Sequence, residues 1–266
     1  MTAILKFAAF AVLTVLCSAQ FGTDQCNRIQ FTACNSQLGD FWRADTTTAW
    51  KDLNTLDRIV TSRFVTPYTI DGFVSVCNGF SAFYGCLGQD QIRNCLGVVG
   101  QIGYGLSLND SYAYMGFLAD WDFKCGAGFW TIYERKVLAS CVANTYVNYQ
   151  QETGAALDTY HKASTAYPSN ACTYAQDLMN SFQKIYQVGP CRTVNPAQAG
   201  WFGCQSAREW SNAQFTHCRH VTKCASPQTD SASRINKQTG KTEYETLPTF
   251  RIVDGRAVQQ NDAEWV

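Results

Sequence analysis

Twelve cysteines that follow an N-terminal secretory signal limit the folds open to this chain more than any other feature of its sequence. They are Cys26, Cys34, Cys77, Cys86, Cys95, Cys125, Cys141, Cys172, Cys191, Cys204, Cys218 and Cys224. Thiols oxidise in pairs outside the cytosol, and an even number in a secreted chain predicts complete pairing, here in six disulfides. The connectivity stays open, because twelve cysteines can pair in far too many ways for the sequence to choose.

The predicted signal peptide occupies residues 1–19. Lys6 supplies its positive charge, residues 7–16 form its apolar run, and Cys17-Ser18-Ala19 is a small-residue exit before Gln20. The run is about half the length that a membrane-spanning helix needs, so we predict cleavage before Gln20 and a secreted, extracellular protein. Cleavage also removes Cys17, the thirteenth cysteine, and leaves the even number.

The charge of the chain argues against one class of partner. The sequence has 21 basic and 21 acidic residues, and loss of Lys6 with the signal leaves 20 against 21, a net charge near −1. Such a chain has no excess of basic residues to hold phosphate backbones, so we predict no nucleic-acid partner. No later apolar run approaches membrane-spanning length, and we predict no membrane span after cleavage.

Apolar residues recur at helical spacing across residues 20–224 and predict a single all-α, disulfide-rich domain. The stripes run over Ala49–Val60 (with Thr46, Thr47 and Thr48 as candidate N-caps), Phe73–Leu87, Ile92–Val99, Phe129–Val137, Cys172–Tyr186 and Trp201–Phe215. Period-two stretches, which favour strands, compete only at residues 58–69 and in the C-terminal segment. Several cysteines fall within the helical stripes, so the disulfides are expected to connect one helix to another across the core.

The spacing of Cys77, Cys86 and Cys95 predicts a break in the second stripe. These cysteines are nine residues apart, and nine residues of one unbroken helix turn by about 900°, which places neighbours on opposite faces. Glycines interrupt the segment at Gly85 and Gly88. We therefore predict a break near Gly88, with Cys86 and Cys95 on adjacent helices.

Residues 225–266 differ in character from the rest of the chain. They contain no cysteine, and their few apolar residues are scattered among Ser, Thr, Gln, Asp and Glu. This composition predicts a disordered polar tail. An alternative interpretation is a processed or partner-binding segment around Leu247–Val253.

Asn109 begins the sequon Asn109-Asp110-Ser111, in a polar break between apolar segments. Because acceptor asparagines of secreted proteins lie in accessible surface segments, we predict a glycoprotein modified at Asn109. A glycan there would mark an outward-facing surface and would say nothing about activity.

Two short patterns resemble parts of metal-binding sites, but the sequence lacks the further residues that such sites require. Cys125–Gly128 resembles half of the calcium-binding loop of secreted phospholipases A2, but none of the three histidines is followed by Asp, as the catalytic helix requires. The other is a candidate zinc cluster made of His217, Cys218, His220 and Cys224. In an oxidising compartment those cysteines are expected in disulfides, so we predict no metal and no cofactor.

Nucleophilic hydrolysis lacks its usual motif. No G-x-S-x-G elbow occurs, and the nearest segment, Gly105–Asn109, fails at its last position. His161 has Asp158 nearby, but no serine is marked as a nucleophile. Catalysis by two carboxylates stays open, since nothing singles out a pair among 21 acidic residues. We therefore predict no catalytic residues and no enzyme.

Aromatic residues make up 14% of the chain and allow two interpretations. Six tryptophans lie in the cysteine-containing region: Trp42, Trp50, Trp121, Trp130, Trp201 and Trp210. They could line a pocket for a lipid, a steroid or a sugar. Packing between helices is the favoured interpretation, because several lie on the apolar stripes.

The cysteine order resembles that of a family of secreted twelve-cysteine domains widespread in nematodes, the domain of unknown function nineteen. The similarity covers residues 26–224. It rests on the early cysteine pair, the Cys77/Cys86/Cys95 series, the Phe123–Phe129 element, the late cysteine run, and the motifs Asn170–Tyr174 and Trp201–Cys204 with Arg208-Glu209. The resemblance implies an extracellular module and assigns no catalytic or binding residue.

Three hypotheses of function follow. The leading one is a secreted, non-enzymatic, disulfide-stabilised module of unknown role that binds an extracellular protein through its surface. The alternative is an extracellular carrier of a small apolar ligand such as a lipid or steroid, which a closed apolar pocket of at least ~300 Å³ would favour and a fully packed core would contradict. The third is a hydrolase with an unrecognised site, which a solvent-open cleft with two converging carboxylates, or a His within reach of a Ser, would favour.

Overall fold

The computed structural model describes residues 25–66, 69–133 and 136–224, together with residues 233–236, 238–239, 242–244, 250–254 and 256–259 of the C-terminal segment. The predicted signal peptide and its cleavage site lie outside the described residues. Among the described helices, none combines the length and the apolarity that crossing a bilayer would need.

Ten α-helices account for most of the described chain, which confirms the all-α prediction. The first five are α1 Arg28–Trp42, α2 Leu53–Val65, α3 Ile70–Gln91, α4 Val98–Ile102 and α5 Leu108–Cys125. The second five are α6 Ala127–Tyr133, α7 Lys136–Asn148, α8 Gln150–Ala166, α9 Ala171–Val188 and α10 Pro196–Gln214. Short 3₁₀ turns lie at Ala49–Lys51, Pro168–Asn170, Pro190–Thr193 and Thr216–His220, and a π turn at Ile92–Leu96.

The predicted break in the second stripe is confirmed. Within α3, Gly88 adopts φ 71° and ψ 160°, a conformation that only glycine reaches without strain. The chain changes direction there, so Cys86 and Cys95 lie on separate elements. The predicted stripe over Cys172–Tyr186 is also confirmed as helix α9, which ends at Val188 before Gly189-Pro190.

Three helix boundaries differ from the predictions. Asp52 caps α2 by accepting from the Asn54 N–H at 3.1 Å, whereas the candidate cap Thr46 is buried and bonds to Asn35. The third stripe crosses from the π turn into α4 and runs through Gly100. The fourth stripe is divided between α6 and α7. The spacing of apolar residues indicates that a segment is helical, but it does not by itself indicate the residue at which one helix ends and the next begins.

All twelve cysteines pair, as predicted, and the pairs fall into two groups. The first group links residues 26–125 through Cys26–Cys95, Cys34–Cys86 and Cys77–Cys125. The second group links residues 141–224 through Cys141–Cys191, Cys172–Cys218 and Cys204–Cys224. No disulfide joins the two groups, so we call residues 26–125 the first half and residues 141–224 the second half of the domain.

A single hydrophobic core nevertheless joins the two halves. Helix α10 packs along both α9 and α5, so it connects the second half to the first. Trp42, Trp50 and Trp121 are buried in this core, which bears out the packing interpretation for these three tryptophans. The indole of Trp121 lies against Phe64 and Phe80 through edge and tilted ring contacts.

The described parts of the C-terminal segment form two short antiparallel strand pairs. Strand β1 (Ser233–Ile235) pairs with β2 (Thr242–Tyr244), and β3 (Phe250–Val253) pairs with β4 (Arg256–Gln259). The second pair lies against α3. The predicted disordered tail and its alternative at Leu247–Val253 concern residues that lie largely outside the described ones, and both stay predictions.

Close packing at Gly79 yields a testable expectation. A Cβ atom at Gly79 of α3 would overlap the indole of Trp42, whereas a Cβ at Gly85 of the same helix would meet no atom within 4 Å. Gly79→Ala should therefore lower the free energy of unfolding by about 1–3 kcal/mol, as overpacking does. Gly85→Ala should leave it unchanged or raise it by up to ~1 kcal/mol. Equal denaturant midpoints for the two variants would contradict this packing.

Candidate functional site

A cavity of about 800 Å³ lies at the junction of the two halves. Helices α2 and α5 of the first half form one side, and α7, α8, α9 and α10 of the second half form the other. The cavity is open to solvent on one side. Its volume falls within the range of ~300–1,000 Å³ that is typical of small-molecule sites.

The wall of the cavity combines aromatic and aliphatic side chains with a smaller polar set. The apolar part includes Leu53, Val65, Phe117, Val147, Leu157, Phe182 and Trp210. The polar part includes Asn54, Asp57, Thr61, Asp120, Tyr146, His161, Tyr186 and Ser206. Of the six tryptophans considered above, Trp210 lines this cavity, so the pocket interpretation holds for Trp210.

A buried ion pair closes the inner end of the cavity. Asp120 and Lys124 are one turn apart on α5, and Lys124 Nζ lies 2.6 Å from Asp120 Oδ2. Lys124, which is only 1% exposed, also donates to the hydroxyl of Tyr146. Ser206 Oγ donates to the other carboxylate oxygen of Asp120 at 2.5 Å. Both oxygens of Asp120 are thus engaged by neighbouring side chains.

Burial sets the protonation behaviour of this inner end. It raises the pKa of Asp120 above its ordinary value of 3.8, while the ammonium of Lys124 and the hydroxyl of Ser206 oppose the rise. It also raises the pKa of Tyr146 and of Tyr186, and the negative charge of Asp120 adds to both shifts. Both phenols therefore keep their protons at neutral pH.

Asp57 faces the same cavity from α2, on the first half. Its carboxylate accepts one long hydrogen bond, from Thr61 Oγ1 at 3.4 Å, and it has no ion pair among the described residues. The side chain is accessible through the cavity, yet desolvation there raises its pKa; Lys124 lowers the pKa and Asp120 raises it further. Asp57 and Asp120 are therefore close enough to influence each other.

His161 lies half-buried on α8 at the cavity wall. Desolvation lowers its pKa, and Asp158 opposes that shift. Its ring packs edge-on against Trp210, with centroids 6.5 Å apart. Asp158 itself pairs with Lys162 on the surface at 2.5 Å. Ser206 lines the same cavity, but its hydroxyl bonds to Asp120. Among the described contacts, Ser164 Oγ donates to the backbone carbonyl of His161 at 3.3 Å, and no serine hydroxyl bonds to the His161 ring.

The candidate zinc cluster is committed to disulfides. Cys218 pairs with Cys172 and Cys224 pairs with Cys204, so neither offers a thiolate. A ring nitrogen of His217 and the sulfurs of Cys172 and Cys218 lie within 4.8 Å of one another, but the two sulfurs are bonded to each other in a disulfide. His220 is exposed on the same 3₁₀ turn.

The other sequence motifs have structural roles. Gly126 ends α5, where its N–H bonds to the Asp122 carbonyl at 2.9 Å, and Cys125 bridges to Cys77. Ser107 caps the start of α5 by accepting from the Asp110 N–H at 3.1 Å. Asn109 is exposed on the first turn of that helix, a position compatible with a glycan, and its modification stays a prediction.

Sequence reasoning did not single out the residues that define the cavity. Asp57, Asp120, Lys124, Tyr146 and Ser206 come from four different helices, and no short motif joins them. One signal was present: Asp120 and Lys124 stand four residues apart in a segment that also contains Phe117, Trp121 and Phe123. Two opposite charges on an otherwise apolar helix face indicate a buried ion pair.

Comparison with family models, with curated proteins and with solved structures found no match. The resemblance to the nematode twelve-cysteine domain therefore stays a hypothesis.

Proposed function

We propose that this protein is a secreted, extracellular binding protein that holds a small ligand in the cavity between its two halves. The observation that carries the proposal is the 800 Å³ cavity with its aromatic wall. The volume lies above the lower limit of ~300 Å³ for small-molecule sites, and the cavity is solvent-open and partly polar, unlike the closed apolar pocket expected of a carrier. Six disulfides fit the oxidising compartment that the proposal requires.

The polar inner end modifies the ligand expected from the sequence. A purely apolar ligand would leave Asp57, Tyr146 and His161 without new partners once it displaced water from them. A ligand with an apolar body and one polar end matches the wall more closely. We therefore propose an amphiphilic ligand.

Binding is favoured over hydrolysis by the state of the polar groups. Asp57 and Asp120 face one cavity, as two catalytic carboxylates would. Asp120, however, is held by Lys124 and Ser206 at both oxygens, which leaves it poorly placed to exchange a proton with a substrate. We propose that the protein is not an enzyme.

Nile red, a neutral apolar dye, tests whether the cavity binds small molecules. We expect one saturable site per protein, reported by a blue shift of the dye emission. Gly154 of α8 lines the cavity, and a Cβ atom there would meet nothing within 4 Å, so Gly154→Trp should partly fill the cavity without displacing the backbone. The variant should bind the dye roughly tenfold or more weakly.

Gly85→Trp is the matched control for this experiment. Gly85 also lies within a helix, at an exposed position whose Cβ would meet open space, but it does not line the cavity. It should bind Nile red as the unmodified protein does. Absence of saturable binding, or equal binding by the two tryptophan variants, would overturn the proposed function.

A further inference from the structure

The charges at the inner end of the cavity do not balance. Two carboxylates, Asp57 and Asp120, face one ammonium, that of Lys124. Two of the three donors of Lys124 are directed to Asp120 and Tyr146. The group of three charges therefore carries one net negative charge, which belongs to Asp57, an exposed residue at the wall of the cavity.

Other charged groups near the cavity do not correct this imbalance. Arg58 also lines the cavity, but it forms no ion pair among the described residues. His161 is kept toward its neutral form, because desolvation lowers its pKa. The phenols of Tyr146 and Tyr186 are neutral. Of the two carboxylates, Asp57 is thus the one that forms no ion pair among the described residues.

The aromatic wall suits a positive charge. Ring faces attract cations, and the effect grows where water is excluded. Lys124 gives an example within this protein: its Nζ lies 4.7 Å from the ring centroid of Trp121 and 4.6 Å from that of Tyr146. Five aromatic residues line the cavity: Phe117, Tyr146, Phe182, Tyr186 and Trp210. Of these, Tyr146 is also the ring that Lys124 contacts.

From these observations we infer that the ligand is an organic cation, an amine carried on an apolar body, whose ammonium pairs with Asp57 while its apolar part packs among the rings. The inference rests on the proposed function and names its ligand class. A carboxylate ligand such as a fatty acid would add a third negative charge beside Asp57 and Asp120. A neutral alcohol would leave the net charge uncompensated.

Three probes with one apolar chain and different end groups test the inference: decylamine, decanol and decanoate. Calorimetric titration of the unmodified protein should give decylamine the tightest binding, about tenfold or more tighter than decanol, because a hydrogen bond to a charged group is stronger than a neutral one. Decanoate should bind most weakly. Decanol or decanoate binding as tightly as decylamine would overturn the inference.

Asp57→Asn assigns the preference to the proposed carboxylate. The change keeps the shape of the side chain and removes its charge, so decylamine should lose its advantage over decanol while the decanol affinity stays within about threefold. Asp158→Asn is the control, since Asp158 is an exposed aspartate of α8 outside the cavity. It should keep the full preference for the amine. A preference retained in Asp57→Asn would contradict the assignment.

The two proposals fail in different ways. If Nile red and all three decyl probes fail to bind, the cavity is not a binding site and the proposed function is wrong. If Nile red binds and is displaced by decanol as readily as by decylamine, the protein binds small molecules and only the cationic ligand class is wrong.

Discussion

Replacement of Lys124 by methionine is expected to lower the free energy of unfolding by about 3–5 kcal/mol. Methionine fills nearly the same volume as the lysine stem, so the loss reports the missing charge and not a cavity. Without the ammonium, Asp120 would be a buried carboxylate whose remaining described partner is Ser206. Chemical denaturation of the purified protein measures the effect.

An exposed Asp–Lys pair with the same spacing of four residues is the control. Asp158 and Lys162 also stand four residues apart on one helix, but their side chains are 60% and 76% exposed. Because water already solvates both charges, Lys162→Met should change the stability by less than ~1 kcal/mol. Similar losses from Lys124→Met and Lys162→Met would contradict the role of burial.

The double variant separates charge pairing from packing. Asp120→Leu combined with Lys124→Met removes both buried charges at once, and such replacements are often neutral or stabilising. Ser206 and Tyr146 lose a partner, but both border the cavity, where water can satisfy their hydroxyls. We expect the double variant to recover at least half of the stability that Lys124→Met loses.

The stability deficit of Lys124→Met should also depend on pH. Burial already raises the pKa of Asp120 above 3.8, and loss of the ammonium raises it further. Between the unfolded and folded pKa values the folded protein binds more protons than the unfolded chain, so stability falls as pH rises through that window. The deficit should be smaller at about pH 4 than at about pH 7. A deficit that grows on acidification would contradict this assignment.

The pattern of the sequence predicted the fold class and several of its details for identifiable reasons. Apolar residues that recur about every 3.6 residues predicted α9. The nine-residue spacing of Cys77, Cys86 and Cys95, with glycines between them, predicted the break at Gly88. Complete pairing followed from the even number of cysteines. The connectivity did not, because which cysteine meets which depends on how helices such as α3 and α5 cross, and local pattern carries no such information.

The candidate site was less accessible to sequence reasoning. In the sequence, Asp120 and Lys124 have the spacing of the surface pair Asp158 and Lys162, and the neighbouring aromatic residues are the one signal that distinguishes them. Only the packing of α10 against α5 makes the first pair buried. Asp57 reaches the same cavity from a segment that carries no motif, so its proximity to Asp120 requires the fold.

Removal of the Cys77–Cys125 disulfide is expected to destabilise the protein about as strongly as loss of Lys124. The bridge joins α3 to α5 and closes a loop of 48 residues. Restriction of the unfolded chain by a loop of this length contributes about 4 kcal/mol. We expect Cys77→Ala/Cys125→Ala to lose about that much in denaturant unfolding, and to be secreted in lower yield. A variant as stable as the unmodified protein would contradict this expectation.

The single substitution tests the connectivity itself. Cys77→Ala should leave one free thiol, at Cys125, which is half-buried and next to the end of α5. Alkylation without reductant, followed by peptide mass spectrometry, should label Cys125 in this variant and no cysteine of residues 26–224 in the unmodified protein. Labelling of a different cysteine would show another pairing. The same labelling test applies to the five other pairs. The Cys204–Cys224 bridge closes the shortest loop, of 20 residues, so Cys204→Ala should cause the smallest loss of stability among these variants.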